Sequence, residues 1–203
     1  MLIVRLLKKI VSFTSQKDPN RSHETLIANG NLKIGKGTNI EKVLISIFAP
    51  QTNNLNIEIG SDCSIDGKIL LLNTNTKVKI GNRVSIGPDT TLFCYESIEI
   101  QDDVMISWGC TLIDTNAHAL SSEHRKNDVL NWAKGPEYKD WSVVESKPIC
   151  VEKNSWIGFN SIVTKGVRIS EGTIVASGSV ATKSTNPFDI VGGNPAQFIK
   201  KTD

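Results

Sequence analysis

Apolar residues recur at every sixth position from Val151 to Ala181: Val151, Ile157, Val163, Ile169, Val175 and Ala181. Four residues after most of them stands a small or short branched side chain: Ser155, Ser161, Val167, Thr173 and Ser179. A period of six fits neither an isolated helix, at about 3.6, nor a half-buried strand, at about 2. It is the period of a hexapeptide β-helix, in which each hexad makes one short strand and one corner of a triangular coil. The aliphatic residue points into a narrow core. Gly or a small polar residue often follows it, as in Ile157-Gly158, because the corner needs an unusual backbone or a small side chain.

The same period recurs upstream with interruptions. Ile34-Gly35 and Ile40 form one fragment, and Ile59-Gly60 and Ile65-Asp66 a second. Ile80-Gly81, Ile86-Gly87 and Leu92 form a third, and Ile100, Ile106 and Leu112 a fourth. The eight-residue step from Leu92 to Ile100 predicts two extra residues bulging out near Tyr95-Glu96-Ser97. The fold class is all-β: a parallel β-helix of about seven coils, a prism about 34 Å tall at about 4.8 Å per layer.

The chain divides into three parts. Residues 1–27 form an N-terminal helix and irregular cap, residues 28–184 the β-helix with an inserted loop at 119–147, and residues 185–203 a C-terminal arm. Met1 to Phe13 reads as a short helix, with Leu2, Ile3, Leu6, Leu7, Ile10 and Phe13 apolar and Arg5, Lys8 and Lys9 between them. It caps the open end of the coil or makes a peripheral membrane contact. The 203 residues carry 23 basic and 21 acidic side chains, a net charge of +2 that argues against a general nucleic-acid binder. Cys63, Cys94, Cys110 and Cys150 show no C-x-x-C spacing and read as reduced structural thiols. With no bilayer-length apolar run and no signal-peptide cleavage pattern, a cytoplasmic protein is the expectation.

One interruption dominates. From Leu112 to Ile149 the rhythm stops, in a polar stretch that still contains Trp132, Tyr138 and Trp141. Long insertions in compact proteins are usually functional or disordered, and three aromatics argue against plain disorder. A coil wall is flat, so a site needs a projecting loop, a neighbouring subunit or both. His118 ends the segment Asp114-Thr115-Asn116-Ala117-His118, at the root of this loop. A neutral imidazole there is suited to take a proton from a hydroxyl or amine.

Four motifs carry a resemblance: Ile113-Asp114-Thr115-Asn116-Ala117-His118, Asn154-Ser155-Trp156-Ile157-Gly158, Thr164-Lys165-Gly166-Val167 and Val191-Gly192-Gly193-Asn194-Pro195-Ala196. From about Ile80 to the C-terminus the chain resembles the hexapeptide-repeat acyltransferases. Within them it is most similar to the maltose and galactoside acetyltransferase branch, which includes O-acetyltransferases of bacterial surface polysaccharides. The resemblance implies a left-handed coil, an exception to the usual right-handed parallel crossover.

It also implies acetyl-coenzyme A as acyl donor, no metal, a sugar acceptor and a homotrimer. Xenobiotic and sugar-nucleotide N-acetyltransferases share the fold and the base chemistry, and a silent scaffold is the non-enzyme alternative. By this resemblance His118 matches the catalytic base, while Asp114 and Asn116 orient the imidazole, bind the acceptor or serve only as turn residues. Trp156 matches a tryptophan along the coenzyme A channel. Ser177 and Gly178 match a stretch whose backbone lines the pantetheine arm. Lys183, Lys200 and Lys201 match lysines near coenzyme A phosphates. Zinc chemistry of the kind this coil hosts elsewhere needs three protein ligands; His118 and His124 lie within reach of each other in sequence, but no third histidine occupies the preceding coil. The loop is expected to cover the acceptor side of the site. Its aromatics offer faces for pyranose rings or anchor the loop against the next subunit.

Overall fold

The hexads fold as short strands because their aliphatic residues can leave water only by pointing inward together. The computed structural model describes residues 23–48, 56–135 and 138–202; the helix expected over Met1–Phe13, with its membrane contact, lies outside the described residues. Strands one coil apart pair in parallel and in register, for example Ile106 with Ile86 below and Ile157 above. Stacking produces three walls of six, seven and six strands among the described residues. The fold is the expected left-handed parallel β-helix.

The first wall contains Leu32–Ile34, Ile57–Ile59, Lys77–Ile80, Ser97–Ile100, Ile149–Val151 and Arg168–Ile169. The second contains Ser64–Ile65, Ser85–Ile86, Met105–Ile106, Trp156–Ile157, Ile174–Val175, Asp189–Gly193 and Ala196–Lys201. The third contains Val43–Ile47, Gly67–Leu71, Thr91–Cys94, Thr111–Ile113, Ile162–Thr164 and Val180–Ala181. The C-terminal arm is a hairpin whose last strand turns back antiparallel on the second wall. Helix α1, His23–Ala28, packs Leu26 on the core at the other end.

Ile80, Ile100, Ile106, Leu112, Ile157 and Val163 are almost completely buried. Each such side chain stabilises the fold by about 1.5–3 kcal/mol relative to exposure. The small residues of the hexads are buried too, and their hydroxyls satisfy corner carbonyls. Ser155 Oγ donates to Ser170 O at 3.0 Å and Ser161 Oγ to Ala176 O at 3.1 Å. Cys110 takes the same place, its thiol 3.2 Å from Gly158 O, and all four cysteines are free. Glycine after the aliphatic residue answers to close stacking of corners: a Cβ on Gly158 would sit 2.6 Å from the Ser177 nitrogen.

The expected bulge near Tyr95 takes another form. The two extra residues lengthen the strands that meet at the corner, so that Cys94 and Ile98 each turn an additional side chain inward at 0% exposure. Only Tyr95 and Glu96 remain at the corner itself.

The walls differ outside as they agree inside. The first wall carries paired ions, with Lys33 2.9 Å from Glu58 and Lys79 3.6 Å from Glu99. The second presents Met105 and Trp156, and the edge that follows it presents Trp108 and Phe159. These last two rings stack with centroids 5.2 Å apart.

Candidate active site

The inserted loop leaves the third wall after Ile113 and returns to the first wall at Ile149. Its neck is a short antiparallel pairing. Asn116 N donates to Glu145 O at 2.9 Å, Lys147 N donates to Asp114 O at 2.8 Å, and Thr115 bridges Ser146. Above the neck, Ala117 adopts a left-handed backbone with φ of 59°, and the chain turns so that His118 projects with more than half of its side chain exposed. The loop then forms helix α2, Ser122–Arg125, and helix α3, Asp128–Lys134. Arg125 Nη1 donates to Ala119 O at 2.8 Å and Leu120 O at 2.9 Å, tying the segment after His118 to α2.

The first residue of α3 completes the arrangement at His118. Asp128 Oδ2 lies 2.6 Å from His118 Nδ1 and 3.1 Å from the Lys139 ammonium, which is itself 3.4 Å from Nδ1. A carboxylate oxygen and a ring nitrogen at 2.6 Å need a proton between them, and the ammonium donates from its own side to the carboxylate. Nδ1 therefore carries the hydrogen and donates to Asp128, which leaves Nε2 as the open acceptor. This tautomer is the one a general base requires. The hydrogen bond from His118, reinforced by Lys139, holds the Asp128 carboxyl below its usual range despite some desolvation. The pair is ionised on Asp128 at neutral pH.

Of the alternatives open for Asp114, its placement matches that of a turn residue. It is completely buried below the neck and does not reach His118. Its carboxylate accepts from Tyr95 N at 2.7 Å and Glu96 N at 2.8 Å, with the Cys94 thiol 3.6 Å away. The carboxylate that contacts the imidazole is instead Asp128, from the start of α3. Burial pushes Asp114 up to about 6, although the two amides pull the other way. The Cys94 thiol is pushed up as well, first by burial and then by Asp114, and is inert as a nucleophile. Asn116 is held in the neck by its backbone amide, and no hydrogen bond links its side chain to His118.

The loop aromatics are partly spent on anchoring the loop to its own chain. Trp141 stacks on Tyr95 with centroids 4.8 Å apart, and the Lys139 ammonium lies 5.1 Å from the Trp141 ring. Trp132 packs against Phe48 at 6.1 Å. Tyr138 remains exposed.

The remaining expected residues fall on two different edges of the prism. Trp156 faces out from the second wall, its Nε1 donating to Ser107 Oγ at 3.1 Å. With Trp108, Met105 and Gly87 it lines a shallow, mostly apolar groove of about 320 Å³. Ser177 and Gly178 are exposed at the following edge, where Gly178 N donates to Phe159 O at 2.8 Å. Lys200 lies in the last strand of the second wall, paired with Ile190. Lys201 is engaged elsewhere, 2.7 Å from both the Asp189 carboxylate and Pro187 O, and is no free phosphate ligand. Lys183 follows Val180–Ala181 on the third wall and therefore shares the edge of the loop neck, away from Trp156. Trp156, Ser177 and Gly178 thus share the second wall and its following edge, Lys200 lies three strands from Trp156 on the same wall, and His118 and Lys183 stand on another edge. Among the described residues no cluster of three or more His, Cys, Asp or Glu is placed to hold a metal. None of the described helices is long and apolar enough to cross a membrane.

Asp128 and Lys139 were beyond sequence reasoning. Both lie in the loop, where no period fixes the direction of a side chain. The only signal was a carboxylate ten positions beyond the histidine.

No family model matches the chain. A Staphylococcus aureus protein named as an acetyltransferase is 30% identical over 172 residues, 82% of this chain and 72% of that protein. A galactoside O-acetyltransferase of Lactococcus lactis is 28% identical over 144 residues, 71% of this chain and 62% of that protein. The chain spans about half the length, 51%, of a further mycobacterial relative. Among solved structures, AntD, an N-acyltransferase from Bacillus cereus in complex with dTDP and coenzyme A, is similar with a TM-score of 0.65 at 29% identity, covering 90% of each chain.

Proposed function

The chain belongs to the hexapeptide-repeat acetyltransferases, and we propose that it moves an acetyl group from acetyl-coenzyme A to a sugar hydroxyl, with His118 as general base. The observation that carries the reading is the His118–Asp128 pair at the loop root, with Nε2 left open. The acceptor hydroxyl gives its proton to Nε2 as its oxygen attacks the thioester carbonyl. The tetrahedral intermediate collapses, the carbon–sulfur bond breaks, and the imidazolium returns the proton to the departing thiolate. Asp128 stabilises the imidazolium between these steps. No acyl-enzyme forms.

The donor site is the groove beside Trp156, with Ser177 and Gly178 along the pantetheine arm and Lys200 near the phosphates. These residues and His118 lie on different edges of one prism, which favours a site completed by a second chain. A C3 homotrimer resolves the separation, with the donor-binding wall of one subunit against the loop edge of the next. In it Lys183, beside the neck, joins the donor phosphates from the second subunit. The exposed Met105, Trp108, Trp156 and Phe159 form an apolar strip of the kind an interface covers.

The likeness to galactoside O-acetyltransferase supports a sugar hydroxyl, on a precursor of a surface polysaccharide handled in the cytoplasm or at the membrane face. The likeness to AntD, complexed with dTDP and coenzyme A, favours as second reading an amine of a sugar nucleotide. The same base serves both. The test is acetyl-coenzyme A consumption against a panel of sugars, sugar nucleotides, amino acids and chloramphenicol. Turnover confined to sugar hydroxyls is expected. Turnover on amino sugars alone would select the second reading, and turnover on chloramphenicol alone would contradict both.

A further inference from the structure

We propose that Lys139 is a positioning residue for catalysis: its buried ammonium fixes the Asp128 carboxylate and, through it, the tautomer of His118. The inference rests on His118 acting as the base. Lysine is seldom buried unless paired, and an ammonium taken out of water must be paired and hydrogen-bonded to persist there. The Lys139 side chain is only 3% exposed. It lies over the face of Trp141, and that ring stacks on Tyr95 at the coil corner held by Asp114. The ammonium is therefore anchored to the rigid coil, whereas Asp128 belongs to a helix of the loop.

Asp128 Oδ2 receives both donors, His118 Nδ1 at 2.6 Å and Lys139 at 3.1 Å. A side chain that served only to neutralise charge would not need to be sequestered under an aromatic ring. Here burial gives the carboxylate one orientation. The outer face of His118 is open, so among the described residues only Asp128 and Lys139 bear on which ring nitrogen carries the proton. Without the ammonium, Asp128 is free to turn to solvent, and the ring can invert or exchange tautomers. The Nε2–H members of such a population present an N–H where the acceptor proton must go.

The test is Lys139→Met, which keeps the apolar stem beneath Trp141, studied in the full chain beside wild type. Steady-state kinetics should show kcat reduced about 10²-fold, the loss typical of a misplaced reacting group, with KM for acetyl-coenzyme A unchanged. Nitrogen-15 spectra of histidine-labelled protein should show the Nδ1–H form of His118 in wild type and a mixture of tautomers in the variant. If Lys139→Met does not fold, Lys139→Gln, which retains a neutral donor to Asp128, should fold and show a smaller kcat loss and a partial tautomer mixture. A kcat within about two-fold of wild type in the folded variant, or a lowered melting temperature with kcat retained, would overturn the proposal. So would an unchanged Nδ1–H signal. The spectra do not depend on acetyl transfer: if His118→Ala kept wild-type turnover, the base assignment would fail while the tautomer result still stood.

Discussion

The coil wall and the inserted loop solve the same problem, burying a side chain, by opposite means. In the wall every buried group has a copy one coil away. Ile157 sits on Ile106, Ser155 and Ser161 each satisfy a corner carbonyl, and a lost residue leaves its neighbours otherwise intact. In the loop nothing repeats. Asp128 and Lys139 pair with each other, Trp141 stacks on Tyr95, and the loop is tied down by that stack, by Trp132 on Phe48 and by a short neck. The wall can be altered with a cost in stability and little in chemistry. The loop tolerates changes in sequence only where its charges are not in use. Function concentrates where repetition ends.

The sharpest way to break this contrast is at the loop root. His118→Ala should lower kcat by about 10²–10⁴-fold, the usual loss of a general base, while coenzyme A affinity by calorimetry stays at the wild-type value. A variant with near wild-type kcat would place the base elsewhere. The complementary change is made in the wall, away from the loop. Ile80→Ala removes a 1% exposed core residue and should cost about 2–5 kcal/mol in urea unfolding, with kcat at 25 °C held. A large kcat loss there would mean that wall and loop are not separable.

What the sequence made legible follows the same division. Every aliphatic hexad position from Ile40 onward lands in the core, because a six-residue period leaves the side chain only one direction in which to point. His118 was legible as the residue where the period stops. Its partners were not, since pairing Asp128 and Lys139 with it depends on how α3 and the following turn fold over the neck. Asp114 shows the limit clearly. A carboxylate in the loop-root motif reads equally well as a catalytic partner or as a turn residue. Only its burial against the coil corner makes it a clamp on the Tyr95 and Glu96 amides.

That clamp joins the two regions and predicts a pH dependence. Burial raises Asp114 from 3.8 to about 6, so its contribution to stability is fully present below pH 4 and is lost as pH rises through 6. Asn at this position does not titrate. The stability of wild type relative to Asp114→Asn should fall by on the order of 2–3 kcal/mol from pH 4 to pH 6, about 1.4 kcal/mol per pH unit. Parallel stability curves would show that the carboxyl is not held at a raised value. The smallest effect is expected at Lys183, exposed on the neck edge. Lys183→Ala should raise KM for acetyl-coenzyme A a few-fold at low salt and converge with wild type at high salt, where screening removes the difference. An unchanged donor KM would remove Lys183 from the site.

The central claim is that the wall binds the donor and the loop brings the base. The most direct test is the coenzyme A affinity of a protein in which residues 119–147 are replaced by a short Gly/Ser linker, measured by calorimetry. Affinity should be unchanged, in a protein that still forms the coil and no longer turns over. Loss of coenzyme A binding in the folded, shortened protein would contradict it and make the loop part of the donor site.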